Sequence, residues 1–348
     1  MNPSMAACDA TFAQPGAALR DPALLWTAGC LTASIGLALL SLLVGTSEIA
    51  TSWHWLWSGD AQAQLVLWDI RLPRTLGAWC AGALLALAGT IAQGLFRNPL
   101  ADPYLLGSAS GAALGVAITL VAAETSLGAL AWTGRLGVTG AAFVGASGAT
   151  LLTLVLARGA VQTSSLLLAG VIVAFVLSAV TSLLLLTEPD AWRAMQAFLL
   201  GSTGFLGWST SALLAAVLLG CALPSLWLAR GLDALTLGED TAHSLGLSLT
   251  QLRLAFLALL SLATGAAVAQ VGVVSFVGLI APHLVRQTAA MDHRRLLWSA
   301  MLCGGTLLQS ADLLSRWIIR PSELPVGVLT ACLGGGYLLV LMWRRGRA

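Results

Sequence analysis

The chain of 348 residues contains no lysine, because all 17 of its basic residues are arginine. A phosphate-binding P-loop requires a lysine on the nucleotide phosphates, and a Schiff base with a carbonyl cofactor requires a lysine amine. Charged residues are also scarce, at 9% of the sequence against about 25% in ordinary soluble domains. These absences exclude an ATPase active site, Schiff-base chemistry and an ordinary soluble domain.

The sequence also lacks the features of a secreted or nucleic-acid-binding protein. Its first 20 residues contain no apolar core of the kind that a cleavable signal peptide has. The net charge is only +2, and the arginines are scattered between apolar runs rather than grouped in one segment. The six cysteines show no paired metal spacing, so they are interpreted as small residues in helix packing. We therefore expect no cleaved leader, no nucleic-acid partner and no metal site.

Apolar residues, in contrast, are abundant and occur in long runs. They make up 58% of the chain, and its mean hydropathy is +0.88. About 20 apolar residues in a helix cross a bilayer, and ten apolar runs, the eighth of them short, are separated by polar segments. The pattern predicts an all-α polytopic membrane protein of about ten transmembrane helices, forming a single transmembrane domain over residues 1–348. The runs are 24–45, 73–96, 107–123, 138–157, 164–186, 207–228, 251–271, 276–288, 296–316 and 324–342.

The positions of the arginines predict how these helices are oriented. Cytoplasmic loops carry an excess of basic residues, and most of the 17 arginines fall on the cytoplasmic side if both termini are cytoplasmic. Residues 1–23 would then be a cytoplasmic N-terminal segment, and residues 229–250 would be a cytoplasmic loop. An even number of crossings agrees with this orientation.

Three stretches are too polar and too irregular to be simple connections. Residues 71–115 contain RNPLADP, in which two prolines prevent either flanking helix from continuing. Residues 235–253 contain GEDTAHSLG, and the third stretch runs from 272–286, with FVGLIAPH, through 311–334. Within the first stretch, GSASGAALG places three glycines four residues apart, which predicts close helix packing on one face. These glycines are Gly107, Gly111 and Gly115.

These stretches resemble the FecCD family of ABC importer permeases, which includes the vitamin B12, heme and ferric-siderophore permeases. The likeness covers residues 60–345, and RNPLADP and FVGLIAPH are its most specific parts. It implies a type II ABC importer permease fold in a bacterial inner membrane. It also implies a second copy of the chain, two ATPase subunits that hold ATP and Mg²⁺, and a periplasmic substrate-binding protein. The permease itself would carry no cofactor and no covalent chemistry.

The resemblance also implies roles for individual residues. Three outer arginines would dock the binding protein, although arginines at a membrane interface also anchor to lipid headgroups. The turn after the second span and the start of the fifth span would form two cytoplasmic gates, and a cytoplasmic loop would insert into a cleft on the ATPase. The docking residues are Arg71, Arg74 and Arg316. The gate residues are Asn98, Leu100, Thr163 and Ser164. The coupling residues are Gly238, Glu239, Asp240, Ala242, Leu245 and Gly246.

The cargo and the energy source leave alternatives open. Heme or a ferric siderophore is favoured over cobalamin because iron chelates are the commoner cargo in the family. An ion-coupled secondary transporter would need buried titratable residues, and the predicted spans hold few besides Asp312 and Glu323. His54 could contact heme, but an interfacial aromatic belt is the usual explanation of its tryptophan-rich segment. For Gln93 and Gln270, interhelical hydrogen bonds are favoured over substrate contact.

Overall fold

The computed structural model describes residues 22–43, 64–125, 135–157, 163–186, 188–238, 248–288 and 291–345. Within these ranges the chain forms twelve α-helices and no β-strand. A π-helical segment, Val66–Arg71, leads directly into α2, and a 3-10 helix, Pro103–Leu106, precedes α3. The helices are α1 (Pro22–Leu43), α2 (Leu72–Leu95), α3 (Ser108–Thr125), α4 (Arg135–Leu156), α5 (Thr163–Leu185), α6 (Pro189–Leu200), α7 (Trp208–Trp227), α8 (Ala229–Leu237), α9 (Leu249–Val271), α10 (Val277–Thr288), α11 (His293–Trp317) and α12 (Val326–Arg345).

A helix lies at each of the ten predicted apolar runs, and α6 and α8 are additional short helices. Seven of the twelve helices, namely α1, α2, α4, α5, α7, α9 and α12, are long and apolar enough to cross a membrane. The chain is therefore a multi-pass membrane protein. Helix α3 is a shorter apolar helix, α10 has only 12 residues, and α11 contains several charged residues. Ten crossings and cytoplasmic termini therefore stay predictions.

Helix α2 forms the centre of the bundle because its small residues let neighbouring backbones approach. It is buried along almost its whole length and is surrounded by α7, α9, α10 and α11. Gly82 lies against the backbone of Gly304, and Gly89 lies against the carbonyl of Gly278, so a Cβ at either position would clash. Pro282 has no backbone N–H to donate to the Gly278 carbonyl. The Gly278 carbonyl, which faces Gly89, therefore accepts no i to i+4 hydrogen bond within α10.

Helices α3 and α4 approach each other over a second set of glycines. Gly111 and Gly145 face each other, and a Cβ on either would meet the carbonyl of the other. Gly115 lies in the same way against the carbonyl of Ala141. The predicted packing face is therefore confirmed at Gly111 and Gly115. It is wrong at Gly107, which has a φ of 78° and ends the 3-10 helix before α3 begins.

Helix α6 lies in a segment that reads in the sequence as a polar connection. Its C-terminal end meets the C-terminal end of α9 through two backbone hydrogen bonds. The N–H of Ser202 donates to the Val271 carbonyl at 2.8 Å, and the N–H of Val273 donates to the Phe198 carbonyl at 3.2 Å. Gly272 permits this approach because it has a φ of 70°, which favours glycine.

Helices α2 and α11 run antiparallel and define the two ends of the molecule. Arg74 in the first turn of α2 meets Asp312 near the end of α11. At the opposite end, Gly94 of α2 meets His293 at the start of α11. A helix of 24 residues is about 36 Å long, which is enough to cross a hydrocarbon core of about 30 Å. We call the end with Arg74 the ion-pair end and the end with Gly94 the turn end.

Candidate functional site

The ion-pair end contains a fully buried carboxylate that two arginines share. Asp312 is 0% exposed, and its Oδ1 accepts a bond of 2.9 Å from Nε of Arg74 and one of 2.5 Å from the Thr203 hydroxyl. Arg316, one helical turn further along α11, donates to Oδ2 of the same carboxylate. The two terminal nitrogens of Arg74 donate to the two oxygens of Glu323 at 2.9 Å each. We call these five residues the ion-pair cluster.

The ion-pair cluster also fixes the end of α1. Arg316 donates to the Ser41 hydroxyl at 2.9 Å, and the Ser41 and Thr75 hydroxyls are hydrogen-bonded at 2.7 Å. Arg71 donates from its guanidinium to the Leu42 carbonyl at 2.6 Å. Removing one partner of a buried ion pair is strongly destabilising. These contacts therefore join α1, α2 and α11 to one another. Thr203 and Glu323 add the segments that precede α7 and α12.

The three arginines that were predicted to dock a partner all lie at the ion-pair end. Arg71, Arg74 and Arg316 are 8%, 7% and 2% exposed, and the last two converge on Asp312. Their docking role stays a prediction. This convergence was not predicted, and its one local signal in the sequence is the i, i+4 spacing of Asp312 and Arg316 on a helix. Of the two carboxylates in the ion-pair cluster, Asp312 is fully buried and Glu323 reaches solvent, with a side chain that is 34% exposed.

At the turn end, the predicted irregular turn after α2 is confirmed, and it begins with a Schellman motif. The N–H of Arg97 donates to the Gly94 carbonyl at 3.4 Å, and the N–H of Asn98 donates to the Gln93 carbonyl at 3.2 Å. Arg97 takes the left-handed position, with a φ of 49°. The side-chain oxygen of Asn98 accepts the N–H of Leu100 at 3.0 Å. Asn98 and Leu100, the first predicted gate pair, are both exposed.

The turn continues into the 3-10 helix, against which α5 packs. Asp102 caps this short helix with its side chain. On the other side, Gly170 of α5 lies directly against the carbonyl of Leu105. The second predicted gate pair opens α5, with Thr163 as its first residue and Ser164 exposed. The packing of α5 on the 3-10 helix thus connects the two gate segments, whose gating role stays a prediction.

Most of the predicted coupling segment lies outside the described residues. Gly238 follows α8 directly and has a φ of 122°, which favours glycine. His54 and most of the N-terminal segment 1–23 also lie outside the described ranges. The coupling residues that lie outside them are Glu239, Asp240, Ala242, Leu245 and Gly246. Their role stays a prediction.

Helix α8, which leads into that segment, contacts the ends of two other helices at the turn end. Asp233 of α8 accepts two hydrogen bonds from His293 of α11, one from the backbone N–H at 2.9 Å and one from Nδ1 at 2.6 Å. A Cβ on Gly94 of α2 would lie 3.1 Å from Nε2 of His293 and 3.2 Å from Leu232. The ends of α2, α8 and α11 therefore meet at Gly94.

The two glutamines within the apolar runs have different surroundings. Gln93 makes the predicted interhelical contact, because its Nε2 donates to the Leu279 carbonyl at 3.1 Å and its Oε1 accepts from Arg286 at 2.9 Å. Gln270 instead lines a largely apolar cavity of about 420 Å³ between α4, α6, α7 and α9, next to Phe198. Substrate contact at Gln270 therefore stays a hypothesis.

The ion-pair cluster stabilises the fold and offers no free acid or base for catalysis. Arg74 and Arg316 occupy both oxygens of Asp312, so the carboxylate is neutralised by the protein itself. Within the described ranges, no group of three or more His, Cys, Asp or Glu side chains is placed to hold a metal ion. As it stands, the cluster fixes the geometry of the ion-pair end and leaves no free carboxylate at its centre.

Two relatives of known name align with nearly the whole chain. The hemin transport system permease protein HmuU of Yersinia pestis is 40% identical over 315 residues, which cover 88% of this chain and 93% of that protein. The vitamin B12 import system permease protein BtuC of Salmonella paratyphi A is 36% identical over 321 residues, covering 90% of this chain and 95% of that protein.

Solved structures have the same arrangement of helices. An inward-facing conformation of a metal-chelate type ABC transporter superposes with a TM-score of 0.79 at 29% identity, over 92% of this chain and 99% of that one. PsaBC from Streptococcus pneumoniae superposes with a TM-score of 0.54 at 18% identity, over 80% of this chain and 92% of that one, which indicates a shared fold only. The FecCD transport family matches residues 31–344, a range that contains both the ion-pair end and the turn end. This chain therefore belongs to the FecCD transport family.

Proposed function

We propose that this chain is the transmembrane permease subunit of a binding-protein-dependent ABC importer for an iron chelate, with heme favoured over a ferric siderophore. The observation that carries the proposal is the 40% identity to a hemin permease over 88% of the chain. The 36% identity to a vitamin B12 permease makes cobalamin the alternative cargo.

The proposed importer contains two copies of this chain in a bacterial inner membrane. Residues 1–348 act as one transmembrane domain with both termini in the cytoplasm, and the cargo passes by alternating access between the two copies. Two separate ATPase subunits bind ATP and Mg²⁺, and a periplasmic protein delivers the cargo. This chain holds no cofactor and carries out no covalent chemistry.

The ion-pair cluster argues against ion-coupled secondary transport. A secondary transporter requires a buried group that binds and releases a proton or a cation. Among the described residues, Asp312 is the only fully buried carboxylate, and Arg74 and Arg316 neutralise it. The half-buried Asp102 has a structural role, because its side chain caps the 3-10 helix. ATP hydrolysis in partner subunits is the energy source that needs no such group.

The ion-pair end is the proposed docking surface for the binding protein, with Arg71, Arg74 and Arg316 supplying its positive charge. Glu323 covers the terminal nitrogens of Arg74, so a carboxylate from the partner has to displace Glu323 to reach them. Because the partner's carboxylate takes the place of Glu323, the Arg74 guanidinium is paired with a carboxylate both before and after docking. Shielding of the new pair from water inside the interface then strengthens it.

The turn end is the proposed cytoplasmic side of the pathway. Support comes from the packing of α5 against the 3-10 helix, which links the two gate segments, and from α8, which joins the coupling segment to the ends of α2 and α11. The proposed gate residues are Asn98, Leu100, Thr163 and Ser164. The proposed coupling residues are Gly238, Glu239, Asp240, Ala242, Leu245 and Gly246.

Uptake into proteoliposomes tests this function. The permease is reconstituted with its ATPase and its binding protein, and ATP-dependent uptake of hemin, ferrichrome and cyanocobalamin is measured separately. We expect hemin uptake that requires all three proteins, and no uptake with an ATPase whose P-loop lysine is replaced. Uptake of cyanocobalamin alone would replace heme by cobalamin as the cargo. Uptake driven by a proton or sodium gradient without ATP would refute the ABC assignment.

A further inference from the structure

The first turn of α11 is capped by a residue from a different helix. Asp292 holds the N-cap position of α11, but its side chain makes no capping hydrogen bond. The backbone N–H of His293, which has no acceptor within its own helix, donates instead to Asp233 of α8. The His293 ring donates from Nδ1 to the same oxygen. A carboxylate at a helix N-terminus is also favoured by the helix dipole.

The capped end of α11 lies against the last turn of α2. His293 and Leu232 both contact Gly94, where a Cβ would be 3.1 and 3.2 Å away. The carbonyl of Gly94 accepts the N–H of Arg97, and that of its neighbour Gln93 accepts the N–H of Asn98. Helices α8 and α11 therefore contact α2 at Gly94, whose carbonyl also forms one of the hydrogen bonds of the turn after α2.

We propose that Asp233 and His293 are positioning residues that transmit movement of α8 to the turn containing Asn98. The inference rests on the proposed function, in which the segment after α8 couples to the ATPase. Helix α8 has nine residues and is about 13 Å long, and Asp233 lies at its centre. A displacement of its C-terminal end at Gly238 is therefore carried by a rigid helix to the Asp233 to His293 contact.

The two ring nitrogens of His293 have different surroundings within the described residues. Nδ1 donates to Asp233, whereas Nε2 is buried and has no hydrogen-bond partner among the described residues. The amide nitrogen of asparagine is three bonds from Cα, as Nδ1 is, whereas the amide nitrogen of glutamine is four bonds away, as Nε2 is. Asparagine at position 293 can therefore keep the contact, and glutamine cannot.

The test compares His293→Asn, His293→Gln and Asp233→Ala in the complete importer, with Asp292→Ala as the matched control. Asp292 is the adjacent exposed carboxylate, and it forms a solvent-exposed ion pair of 3.8 Å with Arg295. Two quantities are measured: cargo molecules moved per ATP hydrolysed, and the hydrogen-exchange rate of the Arg97 and Asn98 amides.

For His293→Gln and Asp233→Ala, we expect the cargo moved per ATP to fall and amide exchange in the turn to rise, each by about tenfold, the size of a lost charged hydrogen bond. His293→Asn and Asp292→Ala should stay within about twofold of the unmodified protein. A merely space-filling role for the ring would make the Asn variant the more defective one, because Asn is smaller than His and Gln is close to it in size.

The outcomes separate the two proposals. A Gln variant that is no more defective than the Asn variant, or an Asp233→Ala importer with an unchanged ratio of cargo to ATP, overturns the positioning role while leaving the importer assignment intact. If the unmodified importer moves none of the three cargoes, the proposed function fails. The hydrogen-exchange comparison then still decides whether Asp233 and His293 hold the turn.

Discussion

Replacing Asp312 with alanine should destabilise the ion-pair end more than any exposed charge removal in the molecule. The variant leaves Arg316, which is 2% exposed, with only the Ser41 hydroxyl as its remaining hydrogen-bond acceptor in the described part of the chain. Arg74 retains both oxygens of Glu323. Removing one partner from a buried ion pair costs about 3–5 kcal/mol, and the retained Glu323 places the expected cost at about 3 kcal/mol.

Thermal unfolding of the purified permease in detergent measures this loss. At about 2.1 cal/mol/K per residue, the unfolding entropy of a chain of 348 residues is about 0.7 kcal/mol/K, so each kcal/mol lowers Tm by about 1.4 °C. We therefore expect Asp312→Ala to lower Tm by about 4 °C. Adding Arg316→Met to that variant should recover about half of the loss, because the unpaired buried charge is then gone. Asp190→Ala is the control, since Asp190 and Arg193 form an exposed pair that should contribute less than about 1 kcal/mol.

A Tm of Asp312→Ala within about 1 °C of the unmodified protein would show that no buried charge is left uncompensated. A double variant less stable than Asp312→Ala alone would show the same. Either result would mean that the two arginines reach water or lipid headgroups and do not need the carboxylate.

Three further predictions concern docking, packing and nucleotide binding. Glu323→Gln should raise the affinity for the binding protein by up to about fivefold at low salt, because Arg74 loses an internal competitor worth about 1 kcal/mol; titration calorimetry that shows no gain would contradict this. Gly89→Ala should abolish most of the monodisperse protein in size-exclusion chromatography, since the new Cβ overlaps the Gly278 carbonyl, whereas Gly148→Ala should be neutral because nothing lies within 4 Å of its Cβ position. The purified chain alone should neither bind a fluorescent ATP analogue nor hydrolyse ATP, and measurable turnover free of any ATPase subunit would contradict this.

The places of the long helices could be predicted because a bilayer imposes a simple length and polarity on them. The amphipathic helices α6 and α8 could not be predicted in this way, because each buries only one face and reads as a polar connection. Helix α11 is long enough to cross a membrane but is not among the seven apolar helices, because it carries charged residues. Arg294 and Arg295 are exposed at its start, whereas Asp312 and Arg316 near its end are buried and paired inside the protein. The sequence shows the buried charges but not their partners.

The candidate site was predictable only in part. The arginines of the ion-pair end and the prolines of the turn are local signals, and both were identified from the sequence. The pairing of Arg74 with Asp312 joins positions 238 residues apart, and that of Asp233 with His293 joins positions 60 apart. Such contacts depend on which helix faces pack together, and neither hydropathy nor spacing along one helix specifies that.

The long separation within the ion-pair cluster has a consequence for biosynthesis. Ribosomes add about 5–20 residues per second, so Arg74 is made roughly 12–50 s before the carboxylate of Asp312. During that interval the nascent chain contains Arg74 but neither carboxylate of the cluster, since Asp312 and Glu323 are both made later. A polypeptide that stops before α11 contains Arg74 at the start of α2 but neither of the carboxylates that pair with it. The cluster therefore forms only in a nearly complete chain, after α11 and the segment that precedes α12 have been made.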